Sequence, residues 1–259
     1  MELQGICALV TGGARRVGGA VAHGLAEAGC DLLLHYGSSY AEAAQTAAAA
    51  EARGARVLTV SADLAAPDAA RRVLAAAGDL APVRVLVNSA AVFPDDDLAT
   101  VNPARWDRTL AVNLRAPVLL TQAFAAALPE GLEGAVVNVT DWRTARPYRD
   151  HFSYTVAKGG LDTFTRAAAE ALAPRIRVNA VALGAILPPP DKGSDYLKAL
   201  AREIPAGRPG GTDPVVAAVL FLLRNPFVTG EMVAAVLFLL RNPFVTGEIL
   251  RVDGGAHLR

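Results

Sequence analysis

Residues 6–19 read Ile6-Cys7-Ala8-Leu9-Val10-Thr11-Gly12-Gly13-Ala14-Arg15-Arg16-Val17-Gly18-Gly19. An apolar run ends in glycines and passes without a linker into an Ala-rich helical stretch. A buried parallel strand delivers the chain to a helix in this way. The free N–H groups of the turn and of the helix N-terminus can then face a pyrophosphate. Glycine permits that close approach because it has no Cβ. A glycine-rich turn alone is weak evidence, and the bland reading is a structural turn. Its place between a first strand and a first helix gives it weight.

Outward from this stretch, short β-branched runs alternate with helical ones. Strands are expected at Ile6–Val10, Asp31–His35, Arg56–Val60, Val83–Asn88, Ala135–Thr140, Ile176–Val181 and Glu248–Val252. Helices are expected near 17–28, 40–53, 68–77, 103–127, 152–173 and 214–224. This alternation predicts a Rossmann-like α/β fold, a doubly wound parallel sheet with helices on both faces. Gly29 and Gly54 suit helix C-termini, while Asn102-Pro103 and Asp213-Pro214 suit N-cap and first helical positions. No linker divides the chain, so residues 1–259 are expected to form one domain. Pro188–Pro190 open a polar segment to about Thr212 that suits a loop over a site.

One feature stands apart. Residues 216–231, VAAVLFLLRNPFVTGE, recur letter for letter at 233–248. Solenoids need several repeats of supersecondary size. This is a local tandem duplication.

Charge is balanced at 25 basic and 25 acidic residues, which argues against nucleic acid or an anionic membrane as partner. Cys7 and Cys30 lie in apolar runs and read as buried thiols; the scattered histidines make a metal site improbable. Met1–Gln4 lead directly into Ile6–Val10, so no signal peptide is expected. The apolar segments Val215–Leu223 and Val233–Leu240 are too short to span a bilayer. The expectation is a soluble cytoplasmic protein acting on a small molecule.

Cofactor preference is read after the second strand, at His35-Tyr36-Gly37-Ser38-Ser39. An acid there would bind a ribose 2′-hydroxyl and repel a 2′-phosphate. No acid is present, and serine hydroxyls with Arg15 can bind a phosphate. NADPH/NADP is therefore expected over NADH. Tyr154 and Lys158, four residues apart in a helical stretch, share one helix face. An ammonium beside a phenol favours its ionised form and can tune it for proton transfer.

With these residues in place, the chain resembles the short-chain dehydrogenase/reductase superfamily along its whole length. Thr11, Gly12 and Gly18 match that family's TGxxxGxG turn, with Arg16 in place of the middle glycine. The variant TGxxxRxG resembles pteridine reductases and dihydromonapterin/dihydrofolate reductases. The resemblance implies cofactor contacts from Gly12, Arg15, Arg16, Val17, Gly18, His35, Tyr36, Ser38, Ser39, Asp63, Leu64, Asn88, Tyr154, Lys158 and Gly184. It implies that Asn113 holds a proton-relay water near Lys158, and that the protein is a homo-oligomer, tetramer or dimer. Ser38, Ser89, Ala91 and Leu183 depart from the family pattern.

Asp141 is the informative departure. Most relatives carry serine at this point, thirteen residues before the tyrosine, as pteridine reductases do not. A carboxylate would repel a forming alkoxide and suits N–H donors or an imine. The bland alternative is a strand-end or helix-capping residue. Phe93, five residues after Asn88, stands where pteridine reductases stack a phenylalanine on the pterin. The acidic run Asp95–Asp97 reads as solvated loop. The expected function is NADPH-dependent reduction of a dihydropterin, with Tyr154 as proton donor and Arg16, Phe93, Asp141 and Tyr154 around the substrate. The rivals are reduction of a carbonyl on another small substrate, and an NADP(H)-binding regulator without turnover.

Overall fold

The computed structural model describes residues 1–80, 82–188, 194–201, 204 and 206–230. Six parallel strands form one sheet: β1 (Cys7–Thr11), β2 (Asp31–Tyr36), β3 (Val57–Ser61), β4 (Val83–Asn88), β5 (Gly134–Asp141) and β6 (Ile176–Leu183). Their spatial order is β3-β2-β1-β4-β5-β6. The order reverses between β1 and β4, and in such sheets ligands bind beyond the carboxyl ends of the strands at that point. The expected Rossmann-like fold is present. The anticipated strand Glu248–Val252 lies outside the described residues.

Apart from the edge strand β3, which is largely exposed, the strands are buried on both faces and predominantly apolar, and their alternation separates two cores. Ala8, Val10, Leu32, Leu34, Val85, Val87 and Val137 face α1 (Arg16–Glu27) and α8 (Asp213–Arg224). Leu9, Leu33, Leu86, Val136 and Val178 face α3 (Ala69–Ala75), α5 (Ala116–Ala127) and α6 (Phe152–Leu172). Also present are α2 (Tyr40–Glu51), α4 (Pro103–Leu110) and α7 (Ser194–Ala201), the last within the segment expected to be loop. Cys7 and Cys30 are free and buried.

Local rules set most boundaries. Gly29 and Gly54 both adopt φ 91°, ending α1 and α2 as their types suggest. Asn102 accepts a hydrogen bond from Arg105 N at 3.0 Å, capping α4 ahead of Pro103. Thr212, not Asp213, is the N-cap residue of α8, so that boundary shifts by one. The anticipated helix 103–127 is interrupted: Ala111–Arg115 form a π-helical turn between α4 and α5. Such turns reorient the side chains they contain, and this one contains Asn113. Pro103–Ala127 is the one described stretch long and apolar enough to cross a membrane; here it packs against α3 and α6.

The first copy of the duplicated sequence belongs to the core. Ala218, Val219, Leu222 and Leu223 are buried, and Arg177 donates to Leu222 O at 2.7 Å and Leu223 O at 2.8 Å. The second copy, 233–248, lies outside the described residues.

Candidate functional site

Glycine geometry and side-chain bonds both hold the turn after β1. Gly12 adopts φ 64°, and a Cβ on Gly18 would lie 2.2 Å from Gly12 O. Only glycine fits at either position without moving backbone. Thr11 Oγ1 accepts from Ser89 N at 3.0 Å and Ala90 N at 3.1 Å, joining the turn to the loop after β4. His35 supports it from β2: Gly12 N donates to Nδ1 at 3.3 Å, and Nε2 lies 3.0 Å from Ala62 O. These partners fix the tautomer, since a carbonyl requires the proton on Nε2 and an N–H requires a bare Nδ1. Burial pushes the His35 pKa down, against the opposing bond to Ala62. His35 thus shapes the turn from beneath it.

Arg15 and Arg16 are both exposed; Arg15 lies 3.6 Å from Glu42. Arg16 occupies the left-handed region at φ 56°, and its Nη2 donates to Pro188 O at 2.7 Å. A non-glycine residue there stores about 1–2 kcal/mol of strain. Beyond β2, Tyr36 and Ser39 are half-buried and Ser38 is exposed, with no acid among them. Asp63 is bound by Arg108 at 3.0 Å and by Ala65 N at 3.0 Å, beside buried Leu64. Asn88 Nδ2 donates to Asn138 Oδ1 at 2.9 Å, tying β4 to β5. Gly184 is exposed just past β6.

At the ends of β5 and α6, Tyr154 Oη donates to Asp141 Oδ2 at 3.0 Å. The other carboxylate oxygen, Oδ1, accepts from Arg143 N at 2.9 Å and caps the short turn Trp142–Thr144. Asp141 therefore caps a turn and also contacts Tyr154. Lys158 is enclosed, and its Nζ donates to Val139 O at 2.6 Å.

Burial first, then the Asp141 charge and hydrogen bond, raise the Tyr154 pKa well above the usual phenol value, against the tuning expected from Lys158. Burial raises the Asp141 pKa too, while Lys158 is depressed to about 8 by desolvation. Tyr154 is thus the protonated partner of the Tyr154–Asp141 pair.

Asn113 is fully buried in the π-helical turn. Its Oδ1 accepts from Val92 N at 2.9 Å and its Nδ2 donates to Val92 O at 2.8 Å. With both ends of the amide engaged, the side chain fixes the backbone before Phe93. Phe93 is 42% exposed, stacked on His151 at 3.7 Å and edge-on to Tyr154 at 4.6 Å. One ring face is taken by His151. Arg143, 5.8 Å from the Phe93 centroid and ion-paired with Asp150 at 2.8 Å, adds a wall that sequence reasoning missed.

One residue of the acidic run 95–97 needs correction; Asp95 and Asp97 are exposed, as expected of a loop. Asp96 is 2% exposed, accepting from Ser153 N at 3.1 Å and Ser153 Oγ at 2.6 Å. Phe152 N donates to Asp96 O at 3.0 Å. A negative group at the N-terminus of a 21-residue helix is favourable. This one locks the Phe93 loop onto the residue preceding Tyr154. Its partner lies 57 positions away, so no local pattern announced it. His151, with left-handed φ 50° and Nδ1 2.6 Å from Pro94 O, completes the junction. Among the described residues no group of side chains could hold a metal ion.

A glycine-bound turn at the switch point of a parallel sheet, and a Tyr–Lys pair beside it, define the class of protein. Residues 12–235 match the family model described as Enoyl-(Acyl carrier protein) reductase, and the chain belongs to the short-chain dehydrogenase/reductase family of oxidoreductases. More particularly, it is 34% identical to FolM alternative dihydrofolate reductase 1 from Brucella canis, solved with NADP, at a TM-score of 0.86 over 100% of this chain and 96% of that one. It is 33% identical to the granaticin polyketide synthase putative ketoacyl reductase 2 of Streptomyces violaceoruber, over 97% of this chain and 96% of the relative. Identity to the L-xylulose reductase of Bos taurus is 34%, over 89% and 95% of the two chains. The expected cofactor, NADPH/NADP, agrees with solved neighbours that hold NADP or NADPH.

Proposed function

We propose that this protein is an NADPH-dependent reductase of a dihydropterin, of the dihydromonapterin, dihydrobiopterin or dihydrofolate kind. The observation carrying this reading is the carboxylate of Asp141 at 3.0 Å from the Tyr154 hydroxyl. A ketone becoming an alkoxide would meet a negative charge there. A heterocycle offering N–H groups, or a C=N bond taking up a proton, would meet an acceptor and an acid.

The chain fits the cofactor at the turn after β1, where backbone approach requires glycine at Gly12 and Gly18. Arg15, Arg16, Ser38 and Ser39 would hold the phosphates, with Lys158 and Asn88 on the ribose side. The bound cofactor supplies the hydride. Tyr154 supplies the proton, which burial and Asp141 keep on its oxygen. Phe93 presents a ring to one face of a planar substrate, and Asn113 with Asp96 hold its loop in register with Tyr154. The FolM likeness supports the same reading.

A second reading, reduction of a carbonyl on another small substrate, is favoured by relatives named as ketoacyl and L-xylulose reductases. The two part in one experiment: NADPH oxidation against dihydropterins, quinonoid pterins and simple ketones. Turnover is expected with pterins. Activity confined to ketones would remove the pterin reading.

A further inference from the structure

On α6 a third polar residue shares the face of Tyr154 and Lys158. Asp162 follows Lys158 by four residues, as Lys158 follows Tyr154, so the three lie in a row along one side of the helix. Asp162 is only 6% exposed. The hydroxyls of Thr140 and Thr144 lie beside it, yet its Oδ1 has no partner at hydrogen-bonding geometry among the described residues. Thr144 already donates to Asp141 O at 2.9 Å. Burial raises the Asp162 pKa, against Thr144, Thr140, Arg166 and Lys158. A buried, incompletely bonded carboxylate is destabilising in itself.

Lys158 supplies a reason for it. The ammonium is enclosed and donates to Val139 O. The negative groups that oppose its desolvation are Asp141 and Asp162. Asp141 faces the substrate region and is engaged by Tyr154 and Arg143, so its charge balance changes when a ligand binds. Asp162 stands one helical turn beyond Lys158 along α6, and its charge also raises the Tyr154 pKa.

We infer that Asp162 is a positioning residue, the fixed counter-charge that keeps Lys158 protonated through the reaction. This rests on the proposed reading, in which Tyr154 is the proton donor and Lys158, 5.7 Å from its ring centroid, is the cation beside it. The charged and titratable groups around the pair are Asp141 from β5, Arg143 from the turn after it, and Tyr154 and Arg166 from α6. Arg143 acts on Asp141 and Tyr154, and Arg166 acts on Asp162.

The test uses the full chain with Asp162→Asn, Asp162→Glu and Lys158→Met. Three quantities are measured: the thermal midpoint without cofactor, NADPH affinity, and kcat against pH with the best substrate. Asp162→Asn should leave the midpoint equal or higher, because a strained buried charge is gone. Its alkaline limb of kcat, set where Lys158 loses its proton, should move about one unit to lower pH, a roughly tenfold loss on that side. Activity at pH 6 should be little changed, and Asp162→Glu should restore much of the limb. An unmoved pH profile, or a pH-independent fall with a lower midpoint, would overturn the inference. Lys158→Met separates the two levels. If it leaves kcat intact, the role of Lys158 fails and Asp162 with it. If it abolishes kcat while Asp162→Asn is silent, only the Asp162 inference fails.

Discussion

The two halves of the site, either side of the β1/β4 switch point, are built on opposite principles. Around the turn after β1 the side chains of Thr11 and His35 are mated, Thr11 with Ser89 and Ala90, His35 with Gly12 and Ala62, while Asn88 ties β4 to β5 through Asn138. What the turn demands is shape. Around β5 and α6, a tyrosine, a lysine and two aspartates are buried together with displaced proton affinities. What this region demands is charge. Neutral burial is tolerated wherever hydrogen bonds are complete, whereas buried groups with displaced proton affinities cluster at functional sites. The turn should therefore fail on added volume and the reaction centre on altered charge or protonation.

The largest effect should come from Tyr154→Phe, which keeps the ring against Phe93 and removes the proton. We expect kcat to fall by about 10²–10⁴ with NADPH affinity unchanged. Titration of cofactor fluorescence alongside steady-state rates would check this, and a loss below tenfold would leave Tyr154 without its assigned role. Asp141→Ser should follow. It removes the acceptor at the substrate and the charge that raises the Tyr154 pKa. Pterin turnover should collapse, with NADPH binding nearly intact; full pterin turnover in this variant would return Asp141 to a turn-capping role alone.

The matching perturbation across the switch point is Gly18→Ala. The added Cβ meets Gly12 O, so the turn must open. With backbone strain of about 1–3 kcal/mol, NADPH affinity should drop at least about fivefold. An isothermal titration showing wild-type affinity would mean that the turn is more pliable than its packing indicates.

A smaller effect concerns pH. The folded-state pKa of His35 is held below its ordinary value by burial, so the unfolded chain takes up a proton at higher pH than the native one. The stability that neutral His35 contributes is complete above about pH 6.5 and is lost as pH falls through the interval below it. His23 is shifted in the same direction. Thermal midpoints from pH 7.5 to 5 should therefore fall less steeply in His35→Gln than in the wild type. Parallel curves would assign the acid sensitivity elsewhere.

The same contrast explains what could be read from sequence. The β1 turn was legible because its determinants are local: apolar strand, glycines and helix follow one another within 6–19. The strands were placed because buried parallel strands are continuous apolar runs. At the reaction centre the spacing of Tyr154 and Lys158 was visible, but the direction of the tyrosine shift was not, since it depends on burial and on Asp141 across the fold. Asp96 looked like solvated loop because its partner comes from α6. The π turn at Asn113 left no mark in a periodicity measured over many residues. Asp162 did leave one, the four-residue step beyond Lys158.

The last expectation concerns the duplicated stretch, where the effect on chemistry should be smallest. The first copy already occupies the place of a helix before a final strand: α8 packs on α1, and its carboxyl end is bound by Arg177. Its tail is docked along the start of β6. Asn179 Nδ2 donates to Val228 O at 2.9 Å, Val178 N to Thr229 Oγ1 at 3.2 Å, and Gly230 N to Val178 O at 2.8 Å. A chain leaving Gly230 is thus positioned beside the edge strand of the sheet. In the sequence, Ile249-Leu250-Arg251-Val252 is the run suited to pair there, and the second copy separates it from Gly230. Deleting 232–248 would join Glu231 to Ile249 and reproduce the junction Glu248-Ile249 at the end of the first copy. We expect this variant to melt at an equal or higher temperature, to bind NADPH with unchanged affinity, and to keep its kcat. Loss of folding on deletion would show that the second copy contributes to the core.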